Sequence, residues 1–272
     1  MSKVALVTGA SAGIGKETAK LLAQKGYTVY AAARRVEKMQ DLKALGIKPL
    51  EMDVTDEDAM VRGVNEILQT EKRIDVLVNN AGYGSYGALE DVPMSEARYQ
   101  FEVNIFGLAR LTQLVLPTMR QQRSGKIINV SSIGGKFGEP HGVWYHATKF
   151  AVEGLSDSLR MELKQFGIDV VIIEPGAIKT EWTGIAQKNL LKTSGNGPYQ
   201  ELARAHAKLF DNADKAGAEP IVVAKTILKA AESSNPKTRY ATGGGAPVFL
   251  FVRSILSDKA FDRMLLWAYS RA

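Results

Sequence analysis

Short, β-branched apolar runs alternate with longer segments of helical period. Val4–Val7, Thr28–Ala32, Val76–Val78, Lys126–Val130 and Val170–Ile173 are compact and apolar without strict alternation. That pattern suits strands buried on both faces. Ile14–Gln24, Val36–Leu45, Glu57–Leu68, Glu96–Arg120 and Ala147–Gln165 read as helices. Strands alternating with helices imply a doubly wound parallel α/β sheet of Rossmann type, with helices on both faces. No Pro/Ser-rich linker or internal repeat divides the chain, so residues 1–272 read as one domain. After Pro175 the pattern loosens. Thr193–Pro198, with Gly195, Asn196 and Gly197, reads as a flexible loop between two helices. Ala246–Leu256 is apolar, and Phe261–Tyr269 follows with helical spacing. This tail reads as a core-capping or subunit-contact element, or as part of a lid over an apolar substrate. A surface-lying membrane helix fits less well, because basic residues are sparse on it.

The composition narrows the class. With 272 residues, 45% hydrophobic and 24% charged, the chain has ample core-forming material, which excludes disorder. No run of eighteen apolar residues is present, and Met1–Leu6 lacks the layout of a signal peptide. Cysteine is absent, which excludes thiol nucleophiles and cysteine-ligated metals and agrees with a cytoplasmic location. The net charge of +6 invites a nucleic-acid reading, but basic residues run no longer than pairs such as Arg34-Arg35. A small phosphate-bearing ligand suits so few local cations better.

Thr8-Gly9-Ala10-Ser11-Ala12-Gly13-Ile14-Gly15 follows the first strand and opens the first helix. Gly9 permits a tight turn, Gly13 lets the backbone approach a pyrophosphate, and Gly15 allows close helix–strand packing. The helix start then offers free N–H groups and a positive dipole end to an anion. A domain that binds NAD carries an acid after the second strand, whereas here Arg34 and Arg35 stand there, with no acid between Lys25 and Val36. Guanidinium groups grip a 2′-phosphate bidentately, so NADP(H) is the expected cofactor.

Tyr145 and Lys149 lie four apart on a predicted helix, hence on one face. A tyrosine with a pKa of about 10 is a poor acid or base at neutral pH, and bringing it to about 7 takes roughly 4 kcal/mol. An ammonium ~4–5 Å away at an effective dielectric of ~20 supplies about 3–4 kcal/mol. Ser132 closes the preceding strand, thirteen residues before Tyr145, and the glycines between them let the chain fold back. Its hydroxyl and the phenol then converge on one carbonyl oxygen.

Together with Asn79-Asn80-Ala81-Gly82, Asn104, and Pro175-Gly176 with Thr180, these pieces resemble the short-chain dehydrogenase/reductase family over about residues 3–180. The resemblance implies hydride transfer between NADP(H) and a carbonyl/alcohol pair. Tyr145 is then the acid/base, Ser132 polarises the substrate oxygen, and Lys149 holds the nicotinamide ribose and lowers the Tyr145 pKa. Asn104 is implied to hold a water that relays protons to Lys149. Asn80, Ala81 and Gly82 border the cofactor. Asp53 contacts the adenine, with Val54 beside it, and Ile178 and Thr180 position the carboxamide. The resemblance also suggests homodimers or homotetramers. The tail is similar to the branch acting on steroids, retinoids and other apolar alcohols.

Residues 181–218 are expected to form the lid and 240–272 a C-terminal extension; with Val143 and Trp144 they would set specificity. Of the histidines, His146 is expected to pack or cap, His141 to sit in the substrate-side loop, and His206 to be a surface residue of the lid; none has metal-ligand companions. Trp144 and Trp182 are candidates for the pocket wall or for plain core. Three other functions fit parts of this pattern: a cofactor-binding sensor without catalysis, a basic nucleic-acid adaptor, and an NADP-dependent epimerase.

Overall fold

The run Val4–Thr8 forms β1, and all five residues are buried. Val4 and Leu6 enter one core while Ala5 and Val7 enter the other. A strand covered on both faces must be apolar throughout, which is why its sequence does not alternate. In the computed structural model, which describes residues 2–272, six further strands join it. They are β2 (Thr28–Ala33), β3 (Lys48–Glu51), β4 (Val76–Asn79), β5 (Gly125–Val130), β6 (Ile168–Pro175) and β7 (Arg239–Thr242). The sheet order is β3-β2-β1-β4-β5-β6-β7, and every neighbouring pair is parallel.

Helices α1 (Gly13–Gln24) and α8 (Pro220–Glu232) cover one face, supplying Ala19, Leu22, Val223 and Ile227 to its core. Helices α2 (Glu57–Glu71) and α4 (Leu108–Gln122) cover the other, through Val64, Ile67, Leu111 and Val115. From β1 the chain winds outward through β2 and β3, then returns to place β4 on the other side of β1. The reversal leaves a crevice beyond the carboxyl ends of β1 and β4, where open α/β sheets hold their ligands.

A buried polar ladder fixes this region. Asn79 Nδ2 donates to Thr112 Oγ1 at 3.1 Å and to Asn129 Oδ1 at 2.9 Å, and Asn129 Nδ2 donates to Ser156 Oγ at 2.9 Å. It ties β4 and β5 to α4 and to α5 (Val143–Leu163), with each amide donor satisfied inside the protein.

Five segments differ from their sequence pattern. Strands β3 and β7 are short edges with one buried residue each, Leu50 and Thr242, too few to give a hydrophobic signature. Strand β7 is held instead by Arg239, whose guanidinium pairs with Glu153 at 3.0 Å and Asp157 at 2.6 Å on α5. Val36–Leu45 winds as a 3-10 helix, with only Met39 and Leu42 buried. The expected single helix over 96–120 is α3 (Met94–Phe101), a π turn (Glu102–Gly107) and α4. Helix α5 starts at Val143, four residues before the expected Ala147, so Tyr145 falls inside it.

After β6 come α6 (Glu181–Ser194), α7 (Gln200–Ala216), α9 (Ala246–Ile255) and α10 (Asp258–Ser270). The glycine segment 195–199 links α6 to α7, as its composition suggests. Among the described residues no helix is long and apolar enough to cross a membrane.

Candidate active site

A cavity of about 790 Å³ runs along the crevice, from the turn after β1 to the C-terminal helices. Its phosphate end is built by the glycine turn. Gly9 and Gly13 adopt φ of 65° and 53°, where a side chain would strain the backbone. A Cβ on Gly13 would lie 3.0 Å from Thr180 Cγ2, and one on Gly15 would lie 2.5 Å from the Gly9 carbonyl oxygen. Gly9 and Gly13 line the cavity together with Ser11 and Ile14, whereas Gly15 sits beneath the turn. No side chain caps the start of α1. Its first N–H groups therefore remain free for an anion. Thr8, at the head of the motif, braces the turn. Its hydroxyl accepts from the Asn80 and Ala81 N–H groups at 3.0 Å each.

The second strand delivers Arg34 and Arg35 to the same cavity, beside Asp53 and Val54. Arg34 donates to the Tyr99 hydroxyl at 2.9 Å and lies 3.8 Å from Asp53. Asp53 Oδ1 is engaged by the Thr55 N–H and hydroxyl, both at 2.9 Å. Arg35 donates to Ser11 Oγ at 3.1 Å and pairs with Glu181 at 2.9 Å, and Lys38 holds the same carboxylate at 3.1 Å. Two arginines and a helix start thus surround one corner. Pro175, Gly176, Ile178 and Thr180 line the facing wall. Thr180 Oγ1 accepts from the Trp182 N–H at 3.3 Å and so starts α6.

At the far end Ser132, Tyr145 and Lys149 meet. Ser132 lies two residues past the end of β5 rather than closing it, at the start of a 3-10 turn, where its Oγ accepts from the Gly134 N–H at 3.0 Å. One turn of α5 separates Tyr145 from Lys149, whose Nζ is 5.8 Å from the phenol ring centre. Lys149 Nζ donates to the Val130 carbonyl at 3.0 Å. Burial pushes the Tyr145 phenol up to about 12; the Ser132 hydroxyl lowers it and the Glu139 charge raises it. Burial also lowers Lys149 to about 8, against the pull of Glu153. Desolvation of the phenolate is thus the largest influence on Tyr145 in the chain alone.

Asn104 lies in the π turn, a distortion that often marks functional sites. Its Oδ1 accepts from the Tyr83 N–H, and its Nδ2 donates to the Tyr83 carbonyl and to Thr148 Oγ1, each at 3.0 Å. It sits behind the cavity wall. Gly82 lies between it and Lys149: a Cβ there would be 3.1 Å from Asn104 Oδ1 and 3.9 Å from Lys149 Nζ.

Several expectations about the surrounding wall need correction. His206 is buried, not a surface residue, because α7 turns it inward to stack on Phe210 at 4.4 Å. Val143 is exposed and Trp144 packs on Phe101, so neither lines the cavity, whereas Trp182 does. His141 lies behind the wall, 3.3 Å from His206. His146 packs as expected, its Nδ1 2.7 Å from the Gly134 carbonyl. Tyr86, Phe137, Glu139, Phe249, Leu265 and Tyr269 line the cavity without a sequence motif to announce them. They come from loops and from both C-terminal helices.

Comparison with known proteins agrees with this architecture. A family profile described as short chain dehydrogenase matches residues 3–190. A 3-ketodihydrosphingosine reductase of Bacteroides thetaiotaomicron is 37% identical over 93% of this chain and 91% of its own. An NADPH-dependent 3-dehydrocapnine reductase of Ornithobacterium rhinotracheale is 35% identical over 96% and 95%. A short-chain dehydrogenase structure from Streptomyces avermitilis superposes with a TM-score of 0.83 at 34% identity, covering 98% of this chain and 97% of that one. With its glycine turn, its reversed sheet order and a profile match over most of its length, the chain belongs to the short chain dehydrogenase family of oxidoreductases.

Proposed function

We propose that the protein reduces a ketone on a long apolar chain with NADPH, using Tyr145 as the acid. The observation that carries this reading is one continuous cavity, with the glycine turn and two arginines at one end and Ser132, Tyr145 and Lys149 at the other. The cofactor fits the residues present. The glycine turn is a cradle that Cβ atoms would fill, the helix start is uncapped, and Arg34 and Arg35 suit a 2′-phosphate. Solved relatives at 27%, 28% and 29% identity bind NADP, NADPH and NADP respectively, which supports the same assignment.

Bound NADPH supplies the hydride. The chain's residues do the rest: Ser132 donates a hydrogen bond to the substrate oxygen, and the Tyr145 hydroxyl delivers its proton as negative charge grows there. Lys149 supports the phenolate that remains and holds the ribose. Asn104 positions Lys149 through the Gly82 segment. Residues 181–218 close over the substrate as a lid hinged at Thr180, and the segment 240–272 forms the outer wall.

Phe137, Phe249, Leu265 and Trp182 give the substrate end an apolar lining. Two of the named relatives are a 3-ketodihydrosphingosine reductase and an NADPH-dependent 3-dehydrocapnine reductase, which supports a carbonyl substrate here. A series of ketones of increasing chain length, followed by NADPH absorbance, tests the reading. Each methylene that reaches the apolar wall is worth about 0.8 kcal/mol, so kcat/KM rises roughly fourfold per methylene until the cavity is full. Turnover indifferent to chain length contradicts an apolar tail site.

Cofactor choice has its own test. Arg34→Asp replaces a donor by a like charge against the 2′-phosphate, and charge-assisted bonds are worth about 1.5–3 kcal/mol each. The ratio of kcat/KM for NADPH to that for NADH is expected to fall by about two orders of magnitude. An unchanged ratio shows that Arg34 does not touch the phosphate.

A further inference from the structure

A half-buried carboxylate lies at the apolar end of the cavity, and the reduction chemistry does not use it. Glu139 precedes α5, and its side chain is 21% exposed, toward the cavity it lines. The Tyr86 hydroxyl donates to its Oε1 at 3.2 Å and the Tyr269 hydroxyl to its Oε2 at 3.1 Å. These are two neutral donors for a group that accepts about four hydrogen bonds. His206 Nε2 is 3.9 Å away, and burial lowers that imidazole to about 4, so it brings no charge at neutral pH.

His146 packs beside this carboxylate: its Nδ1 donates to the Gly134 carbonyl at 2.7 Å, and its Nε2 lies 3.5 Å from Glu139 Oε1. The carboxylate, held by neutral hydroxyls at the edge of an open cavity, keeps acceptor capacity on its cavity side for a charged donor. A primary ammonium is such a donor: it has three N–H groups, carries the compensating charge and accepts nothing.

We propose that Glu139 is a binding subsite for the ammonium group of an amine-bearing ketone. The subsite deepens the reading of the cavity as a reductase site for long-chain ketones and rests on it. Tyr86 links the two regions: its hydroxyl holds Glu139, and its ring lies 5.6 Å from that of Tyr145. The cation is therefore placed next to the reacting carbonyl, while Phe137 and Phe249 take the chain.

Calorimetric binding to the NADP⁺-saturated protein tests this with two product-like probes: a long-chain 2-amino alcohol and the diol in which hydroxyl replaces the amine. The amino alcohol is expected to bind at least tenfold more tightly to the native protein, and Glu139→Gln removes that preference. Equal affinities overturn the subsite and show that His146 already neutralises Glu139. A preference that survives Glu139→Gln overturns it as well. The native pair decides the matter even if the variant does not fold. Failure of the reductase reading looks different: the ammonium preference persists while the matching ketones consume no NADPH.

Discussion

Tyr145→Phe is expected to lower kcat for carbonyl reduction by about three orders of magnitude, within the range of 10²–10⁴ for loss of a positioned acid. The substitution removes one oxygen from a buried side chain and leaves the glycine turn and both arginines in place. NADPH affinity is therefore expected to change less than tenfold, as read by fluorescence titration. The direction of reaction sharpens the test. Burial holds the phenol at about 12, so its proton is present throughout the neutral range and reduction starts from a loaded acid. Oxidation needs the phenolate, whose fraction grows as pH rises toward that value. The native rate of alcohol oxidation is accordingly expected to climb across pH 7–9, while reduction stays level up to about pH 8. Above it Lys149, lowered to about 8, loses its charge and with it part of the support for the phenolate. A Tyr145→Phe protein that turns over at near native rate removes the proton donor from the scheme and leaves Ser132 as its only polar contact to the substrate.

What the sequence displayed and what it hid follow from where each residue gets its partners. The strands of the sheet interior were legible because burial on both faces leaves a continuous apolar run, as in Val4–Thr8. The edge strands bury one residue each and carry no such record. The glycine turn and the Tyr145/Lys149 pair were legible because local spacing fixes their geometry: a strand leading into a helix, and one helical turn. The break at Asn104 was not. A π turn needs one extra residue in the helix, which costs nothing visible in apolar period, and it is stabilised by contacts to Tyr83 and Thr148 from other elements. The substrate end was the least legible. Glu139, His206, Phe249 and Tyr269 are separated by up to 130 residues in sequence and share a wall only because α7 and α10 fold back over the loop before α5. His206 shows the difficulty: on an amphipathic helix a histidine among Ala203, Ala207 and Phe210 reads as easily outward as inward until the partner is known.

Gly15→Ala sets helix propensity against contact, and contact is expected to win. Alanine favours a helix interior by about 1 kcal/mol over glycine. At Gly15 the new Cβ would stand 2.5 Å from the Gly9 carbonyl oxygen and 2.6 Å from Asn80 Nδ2, well inside ordinary van der Waals separation. One of these neighbours is backbone and cannot rotate away. The other is held in place, since Asn80 Nδ2 donates to the Thr8 carbonyl at 3.0 Å. Relief requires α1 to move off the turn, and overpacking of this kind costs typically about 1–3 kcal/mol. The same movement takes the free N–H groups of Gly13 and Ile14 away from the pyrophosphate position, so NADPH affinity is expected to fall by at least about a hundredfold. Gly154→Ala is the matched control. It lies in α5, exposed, with no atom within 4 Å of its added Cβ. There propensity acts alone, and the protein is expected to gain up to about 1 kcal/mol in urea unfolding with NADPH affinity unchanged. If Gly15→Ala binds NADPH as the native protein does, the close approach of α1 to the Gly9 turn is not what seats the cofactor, and the anion site must lie with Arg34 and Arg35 alone.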